Sequence, residues 1–306
     1  MQKPDLIVIL GVTATGKTRL AVNLATKVNG EIISADSRQV YRGMDIGTGK
    51  DLKEFEVNNQ TVPYHLIDIV DAGDEYNVFK FQQDFLTVFS AIKNRGKQAI
   101  LCGGTGLYLD AVLKGYRFLE IPENSLLREK LSQRSTVELV EMLKQYKALH
   151  NTTDTQHRKR LIRAIEIAQF ESENEALKRD FPKINYQLFG IHFDRAIIKK
   201  RITHRLKTRL EEEGMIDEVK GLINRGVTHE KLQYYGLEYK FISSYLLNEI
   251  SKEELFEKLN IAIHQFAKRQ ATWFRRMEKQ GFDINWIDGN LPLGEQLNRI
   301  EELLKK

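Results

Sequence analysis

A short apolar run followed at once by a glycine-rich loop constrains this chain more than any other feature. Residues 6–10 read LIVIL, and residues 11–18 read GVTATGKT, which is Gly, four residues, then Gly-Lys-Thr. The continuous apolar run predicts a strand buried on both faces of a parallel sheet, and residues 18–28 continue with the apolar spacing of a helix. Strand, loop and helix in this order are the context in which such a loop cradles the phosphates of ATP and related ligands.

The chemistry of this loop predicts a diphosphate or triphosphate site. Lys17 supplies a positive charge to the phosphates, and the Thr18 hydroxyl can reach a Mg²⁺ ion. The backbone N–H groups of the loop and of the helix that follows converge on phosphate oxygens. The remaining loop residues expected at the phosphates are Gly11, Thr13, Ala14, Thr15 and Gly16.

The first third of the chain alternates between strand and helix patterns. We predict a strand at 31–37, a strand at 64–70, a helix at 77–95, and a strand, glycine turn and helix at 97–113. Alternating units of this kind give a doubly wound parallel sheet with ligands at the carboxyl ends of its strands.

The pattern changes after residue 113, where strand signals stop and charged helical segments take over. We therefore predict a helical insertion domain at 114–185. A strand at 186–194 and further helices return the chain to its core, so the predicted catalytic core comprises 1–113 and 186–306.

A polar stretch follows the second predicted strand. Residues 36–50 read DSRQVYRGMDIGTGK, which would place Asp36 near the far end of the phosphates, where an acceptor would sit. Asp36 could act as a general base if it reaches the acceptor's proton. Alternatively, it caps the turn that follows, and the sequence alone leaves both roles open.

Charge and cysteine content narrow the class of protein. The net charge is +5, but basic residues cluster at 157–163, 195–209 and 267–279, which favours a polyanion such as nucleic acid over solvated helix faces. The single Cys102 excludes an internal disulfide framework and a cysteine-rich zinc site. No run of about 18 apolar residues is present, and the start of the chain lacks a secretory pattern, so we expect a cytoplasmic protein without a membrane span.

Five segments occur in the order found in the tRNA dimethylallyltransferases, also called tRNA isopentenyltransferases, and the chain resembles that family over nearly its whole length. The segments read GVTATGKT, ADSRQVYRGMDIGTGK, PYHLID, GGTGLYL and KRQATWFR. The resemblance implies a P-loop NTPase-like parallel sheet flanked by helices, with an inserted all-helical tRNA-binding domain. It implies transfer of a dimethylallyl group from dimethylallyl diphosphate, with Mg²⁺, to N6 of adenosine 37 beside the tRNA anticodon. A monomer is also implied.

The resemblance assigns roles to individual residues. Lys17, Thr18 and Arg201 would act on the diphosphate, with Thr18 helping to hold the metal. Asp36 would remove the proton from the adenine amine, and Thr105 would lie at the substrate channel. The implied tRNA contacts are Asp36, Ser37, Arg38, Gln39, Thr105, Arg128, Lys159, Arg160, Leu161, Ile162, Arg163, Lys240, Lys268, Arg269, Gln270, Trp273 and Arg275. For Trp273, a stacking surface and a place in the core are both open.

The chain departs from the family pattern at three places. Val12 and Thr15 replace a proline and a serine of the phosphate loop, and neither change removes a phosphate contact. The run at 149–160 is shortened, and YYGLEYK at 234–240 displaces a glycine and leaves Lys240 in place of an arginine. These last two changes bear on tRNA preference and leave the reaction type unaffected.

Three alternative functions make different predictions. An adenylate isopentenyltransferase would use free AMP or ATP as its acceptor, and a phosphate-loop kinase would release ADP. A nucleic-acid-binding module with a vestigial nucleotide site would bind tRNA without turnover. The insertion and the basic segment 267–279 speak against the first of these.

Overall fold

The structure of the protein, a computed structural model, describes residues 3–146, 157–175 and 180–305. Its strands are β1 (Leu6–Leu10), β2 (Gly30–Ala35), β3 (Glu56–Val57), β4 (Gln60–Thr61), β5 (Tyr64–His65), β6 (Gln98–Gly103), β7 (Tyr186–His192) and β8 (Ile284–Asp288). Its helices are α1 (Lys17–Val28), α2 (Val78–Asn94), α3 (Gly106–Leu113), α4 (Ser125–Ser132), α5 (Thr136–Tyr146), α6 (Arg158–Glu173), α7 (Arg195–Glu211), α8 (Met215–Asn224), α9 (His229–Tyr235), α10 (Leu237–Leu246), α11 (Lys252–Lys279) and α12 (Leu293–Leu304). A short 3₁₀ helix spans Leu52–Phe55.

Six strands form one parallel sheet in the order β5-β2-β6-β1-β7-β8. Every residue of β1, β2 and β6 is buried, as expected of central strands covered by helices on both faces. Helices α1 and α2 pack directly on these strands. The predicted helix-flanked parallel sheet is therefore confirmed.

One strand prediction was too long, and one strand was missed. The strand expected at 64–70 ends at His65, because Leu66 and Asp68 adopt left-handed backbone conformations with φ of 62° and 55°. Strand β8 was not predicted, although it pairs in parallel with β7 along Leu188–His192. As an edge strand of five residues, it has a short and only partly apolar pattern, which resembles that of a loop.

The chain divides into two compact units. The larger unit comprises Met1–Lys114 and Lys183–Lys306 and contains the parallel sheet. The smaller unit, Gly115–Pro182, contains α4, α5 and α6. Its core is built from apolar side chains of these helices, namely Leu131, Leu139, Leu143, Leu161, Ala164, Ile165 and Ala168. Most of the shortened run at 149–160 lies outside the described residues.

Three adjacent strands of the larger unit end in polar or glycine-rich turns. Strand β1 leads into Gly11, β2 into Asp36, and β6 into the turn at Gly104 and Thr105. Since carboxyl ends of parallel strands share one edge, these turns lie side by side where ligands bind in such sheets. Within the described residues, no helix is long and apolar enough to cross a membrane.

Candidate active site

A cavity of about 840 Å³ opens at the carboxyl ends of β1, β2 and β6. Residues that follow each of these strands line it, among them Lys17, Asp36 and Thr105. Its remaining walls come from α7, from the segment around Tyr234 to Lys240, and from α11. The phosphate loop and the polar segment after β2 therefore face one shared space.

The phosphate loop contains two residues with left-handed backbone conformations. Ala14 and Gly16 have φ of 65° and 80°, and positive φ is uncommon for alanine. The Thr15 hydroxyl donates to the carbonyl oxygen of Val12 at 2.9 Å. Thr15 thus closes the turn with the same kind of hydroxyl that serine would provide. Lys17 begins α1, so the helix N-terminus faces the cavity with its free N–H groups.

Gln270, on α11, holds the phosphate loop in place. Its side-chain oxygen accepts the Thr13 backbone N–H at 2.8 Å, and its side-chain nitrogen donates to the Gly104 carbonyl at 3.0 Å. Gln270 is buried, with 7% of its surface exposed. Both ends of the amide are thus bonded to the turns that follow β1 and β6, and the predicted contact of Gln270 with tRNA stays a prediction.

Three arginines spaced four residues apart lie along one face of α7. Arg201 donates from Nε to the Ala14 carbonyl at 2.7 Å, and Arg205 donates to the Thr13 hydroxyl. Arg209 is buried and pairs with Asp51 at 2.8 Å. Sequence reasoning selected Arg201 and missed Arg205 and Arg209, although the spacing in RITHRLKTR carried the signal.

The electrostatics of the cavity favour an anion. Burial lowers the pKa of Lys17, and burial together with the neighbouring Arg209 lowers the pKa of Arg205 to about 10. Burial also raises the pKa of two carboxyl groups that line the cavity, Glu54 and Glu238. Burial thus disfavours the charged forms of Lys17 and Arg205, and an incoming polyanion would stabilise them.

Asp36 both lines the cavity and caps the turn that follows β2. Its Oδ1 accepts the backbone N–H of Arg38 at 2.8 Å, and the Thr105 hydroxyl accepts the backbone N–H of Ser37 at 3.1 Å. Gln39 donates to the Gly49 carbonyl at 3.0 Å. The turn-capping alternative is thus present in the structure, and it fixes a carboxylate at the cavity wall.

Two side chains fix the rest of this polar segment. Lys50 is 1% exposed and donates to the Tyr41 carbonyl at 2.8 Å and to Asp45 at 2.6 Å, and it also pairs with Asp68. Glu218, on α8, accepts the backbone N–H groups of three consecutive residues, Asp45, Ile46 and Gly47. The segment that carries Asp36 is therefore anchored by a buried cation and by a carboxylate.

We expect Lys50→Met to lower the free energy of unfolding by about 1–3 kcal/mol, because the buried Tyr41 carbonyl loses its donor while the apolar stem is kept. Thermal unfolding followed by circular dichroism measures this change. Lys53→Met is the matched control, since Lys53 is an exposed lysine three residues further on. Equal melting temperatures for the two variants would contradict an anchoring role for Lys50.

Four of the expected tRNA contacts line the cavity. The residues concerned are Arg38, Lys240, Arg269 and Trp273. The guanidinium of Arg276 lies 4.4 Å from the centroid of the Trp273 ring, and a Cβ on Gly106 would lie only 2.4 Å from that ring. Trp273 is thus half-buried and lines the cavity, so it is neither a fully exposed stacking surface nor a fully buried core residue. Lys268 and Arg275 are exposed and do not line the cavity.

The remaining expected tRNA contacts lie in the smaller unit. Lys159 and Arg160 are exposed on α6, whereas Leu161 is fully buried in the core of that unit, so its side chain cannot contact tRNA. Ile162 is a partly buried residue packed against the same core. Arg128 and Arg163 both pair with the buried Glu166, Arg128 at 2.8 Å.

Comparison with known proteins places these features in one family. The IPP transferase family matches residues 39–277. A tRNA dimethylallyltransferase 2 of Phocaeicola vulgatus is 54% identical over 304 residues, 99% of each chain. The solved tRNA isopentenylpyrophosphate transferase of Bacillus halodurans is 33% identical with a TM-score of 0.70, over 99% of this chain and 97% of that one. A eukaryotic dimethylallyltransferase acting on tRNA shares the fold, with a TM-score of 0.75 at 24% identity over 93% of this chain and 73% of that one.

Proposed function

We propose, because this chain belongs to the IPP transferase family, that it works as its relatives are named, as a tRNA dimethylallyltransferase. It transfers a dimethylallyl group from dimethylallyl diphosphate to an adenosine of tRNA. The observation that carries this proposal is a cavity in which a phosphate loop faces a fixed carboxylate, Asp36. We take the acceptor atom to be N6 of adenosine 37, which gives N6-(dimethylallyl)adenosine and diphosphate.

The donor's diphosphate would bind in the cationic half of the cavity. The loop N–H groups, Lys17, Arg201 and Arg205 surround the space in front of α1. Negative charge builds on the diphosphate as its bond to the allylic carbon breaks. Fixed donors and cations that already point at this position stabilise that charge without reorganising.

A Mg²⁺ ion would bind at Thr18. The donor set is one hydroxyl at the cavity wall, and among the described residues no group of three or more His, Cys, Asp or Glu could hold a metal. This composition fits Mg²⁺, which keeps several waters and binds largely through substrate phosphates. When bound, the ion would neutralise charge on the leaving diphosphate.

Asp36 would act on the acceptor amine. The adenine N6 lone pair is delocalised into the ring, so the amine is a weak nucleophile. As the bond from N6 to the allylic carbon forms and the carbon–oxygen bond breaks, one N6 proton passes to the Asp36 carboxylate. The hydrogen bond from Arg38 N–H holds that carboxylate at the cavity wall for this transfer.

The tRNA would approach the cavity from the side that Arg38, Lys240 and Arg269 line. The adenine must leave its stack to reach Asp36, and an unpaired anticodon loop makes this extrusion inexpensive. Arg38, Lys240 and Arg269 supply positive charge and donors at the cavity wall. On the smaller unit we retain Arg128, Lys159, Arg160 and Arg163 as proposed phosphate contacts. In line with the family resemblance, we also propose that the protein is a monomer and that it acts on cytoplasmic tRNA.

The experiment that tests this function offers labelled dimethylallyl diphosphate and Mg²⁺ to the enzyme with two acceptors in parallel, unmodified tRNA and AMP. We expect label in tRNA at the adenosine beside the anticodon, and loss of transfer when EDTA removes Mg²⁺. Label in AMP alone would make the protein a nucleotide prenyltransferase. ADP released from ATP in the presence of an acceptor, without any prenyl transfer, would instead support a kinase.

A further inference from the structure

A tyrosine at the wall of the cavity keeps most of its surface exposed. Tyr234 is 58% exposed, although it lines the same cavity as Asp36 and Lys17. Large aromatic side chains usually bury most of their surface. A tyrosine held partly in water beside a binding cavity is therefore a candidate contact for a ligand.

The backbone that presents Tyr234 is held firmly. Tyr234 lies on α9, and its neighbour Tyr235 is 2% exposed and packs edge-on against Tyr41 with ring centroids 4.7 Å apart. The Tyr235 hydroxyl accepts the Gly73 backbone N–H at 2.5 Å, and Lys231 donates to the Gly73 carbonyl at 3.0 Å. These contacts fix the helix, and the Tyr234 ring lies edge-on to the Tyr235 ring with centroids 5.9 Å apart.

The ring of Tyr234 lies next to a cation that belongs to the acceptor side of the site. The Arg38 guanidinium carbon is 5.6 Å from the centroid of the Tyr234 ring. Arg38 is also the residue whose backbone N–H is bonded to Asp36. An exposed aromatic face beside a guanidinium is the combination on which unpaired nucleic-acid bases stack while the backbone is neutralised.

We propose that Tyr234, together with Arg38, is the stacking platform for the unpaired base that flanks the modified adenine. This proposal rests on the proposed function. The modified adenine itself must reach Asp36, whereas the more exposed Tyr234 meets the next base of the same strand.

The test uses the full-length protein and an anticodon stem-loop RNA. Stacking on an aromatic side chain is worth about 1–3 kcal/mol per base, so we expect Tyr234→Ala to raise the KM for the RNA by about 5- to 150-fold. The KM for dimethylallyl diphosphate should stay unchanged, which also shows that the variant is folded. Tyr234→Phe keeps the ring and should behave as the native protein. Tyr245→Ala, on α10 and outside the cavity, is the control.

A spectroscopic signal separates stacking from a structural role. With 2-aminopurine at either base flanking the target adenosine, binding of the native protein should quench fluorescence at one position, and Tyr234→Ala should abolish that quenching. An unchanged KM for the RNA in Tyr234→Ala, or quenching that survives the substitution, would overturn the platform. A Tyr234→Phe variant as impaired as Tyr234→Ala would overturn it too, since the hydroxyl would then matter. If the native protein transfers nothing to the stem-loop, the proposed function itself fails.

Discussion

Replacing Asp36 with alanine is expected to lower turnover by about 10²–10⁴-fold, the range that a positioned general base contributes. The KM for dimethylallyl diphosphate should change little, because the loop, Lys17 and the arginines of α7 remain in place. Steady-state kinetics with tRNA as acceptor and varied donor measures both quantities. A variant that keeps native turnover would remove Asp36 from the chemistry.

A second substitution separates the two roles of this carboxylate. In Asp36→Asn, the amide oxygen can still accept the Arg38 N–H, which the native Oδ1 accepts at 2.8 Å. The amide cannot take up a proton from the adenine amine, so we expect Asp36→Asn to be nearly as inactive as Asp36→Ala. Native activity in Asp36→Asn, together with loss of activity in Asp36→Ala, would mean that Asp36 acts only as a turn cap.

Replacing Lys17 with alanine is expected to lower kcat/KM for dimethylallyl diphosphate by about 10²–10³-fold, as loss of one fixed donor at a developing anion does. Unlike the Asp36 variants, this one should also raise the KM for the donor, because the lysine charge contacts the diphosphate before and during its departure. Lys27→Ala is the matched control: this lysine lies on the same helix and pairs with Glu301 at 2.6 Å on the surface. Unchanged donor kinetics in Lys17→Ala would contradict the assignment of the loop.

The pH dependence of donor binding provides an independent check on Lys17. Burial lowers the pKa of its ammonium group below that of an ordinary lysine, and the groups that face it include Cys102, Asp36, Arg205 and Asp51. The charged form binds the diphosphate, so affinity is full at low pH and falls as the pH rises through this lowered pKa. The donor KM of the native enzyme should therefore rise on the alkaline side, and Lys17→Ala should lack that rise. A flat native profile would show that the Lys17 charge does not govern binding.

The anion-binding half of the site could be predicted from the sequence because its residues are close together along the chain. The loop at 11–18 and the segment at 36–50 each carry a local pattern, and the parallel sheet brings them side by side. Arg201 was found through family resemblance. The spacing of Arg205 and Arg209 from Arg201 indicates that they share one helix face. That this face meets the cavity depends on the packing of α7 beside the loop, which is a property of the folded chain.

The burial of individual side chains could not be predicted from the sequence, for a related physical reason. Gln270 and Leu161 lie within basic segments that suggest an RNA surface, but each side chain is on the buried face of its helix. A run of basic residues identifies a helix with an exposed charged face and does not say which of its members point inward. Tyr234 belongs to a segment recognised as a departure from the family, yet its exposure and its contact with Arg38 are properties of the folded chain.

The contacts of helix α11 limit which insertions and deletions this chain can tolerate. Gln270 bonds to the phosphate loop, while Arg269 and Trp273 on the same helix line the cavity. We expect single substitutions on the exposed face of this helix to leave that arrangement intact. An insertion or deletion of one residue just before Gln270 would rotate the part of the helix before this residue by about 100° relative to the part after it. Side chains on the earlier turns, Arg269 among them, would then no longer face the cavity while Gln270 is bonded to the phosphate loop. We therefore expect natural lineages of this enzyme to vary in length at their loops and in the smaller unit, and to keep the length of this helix constant.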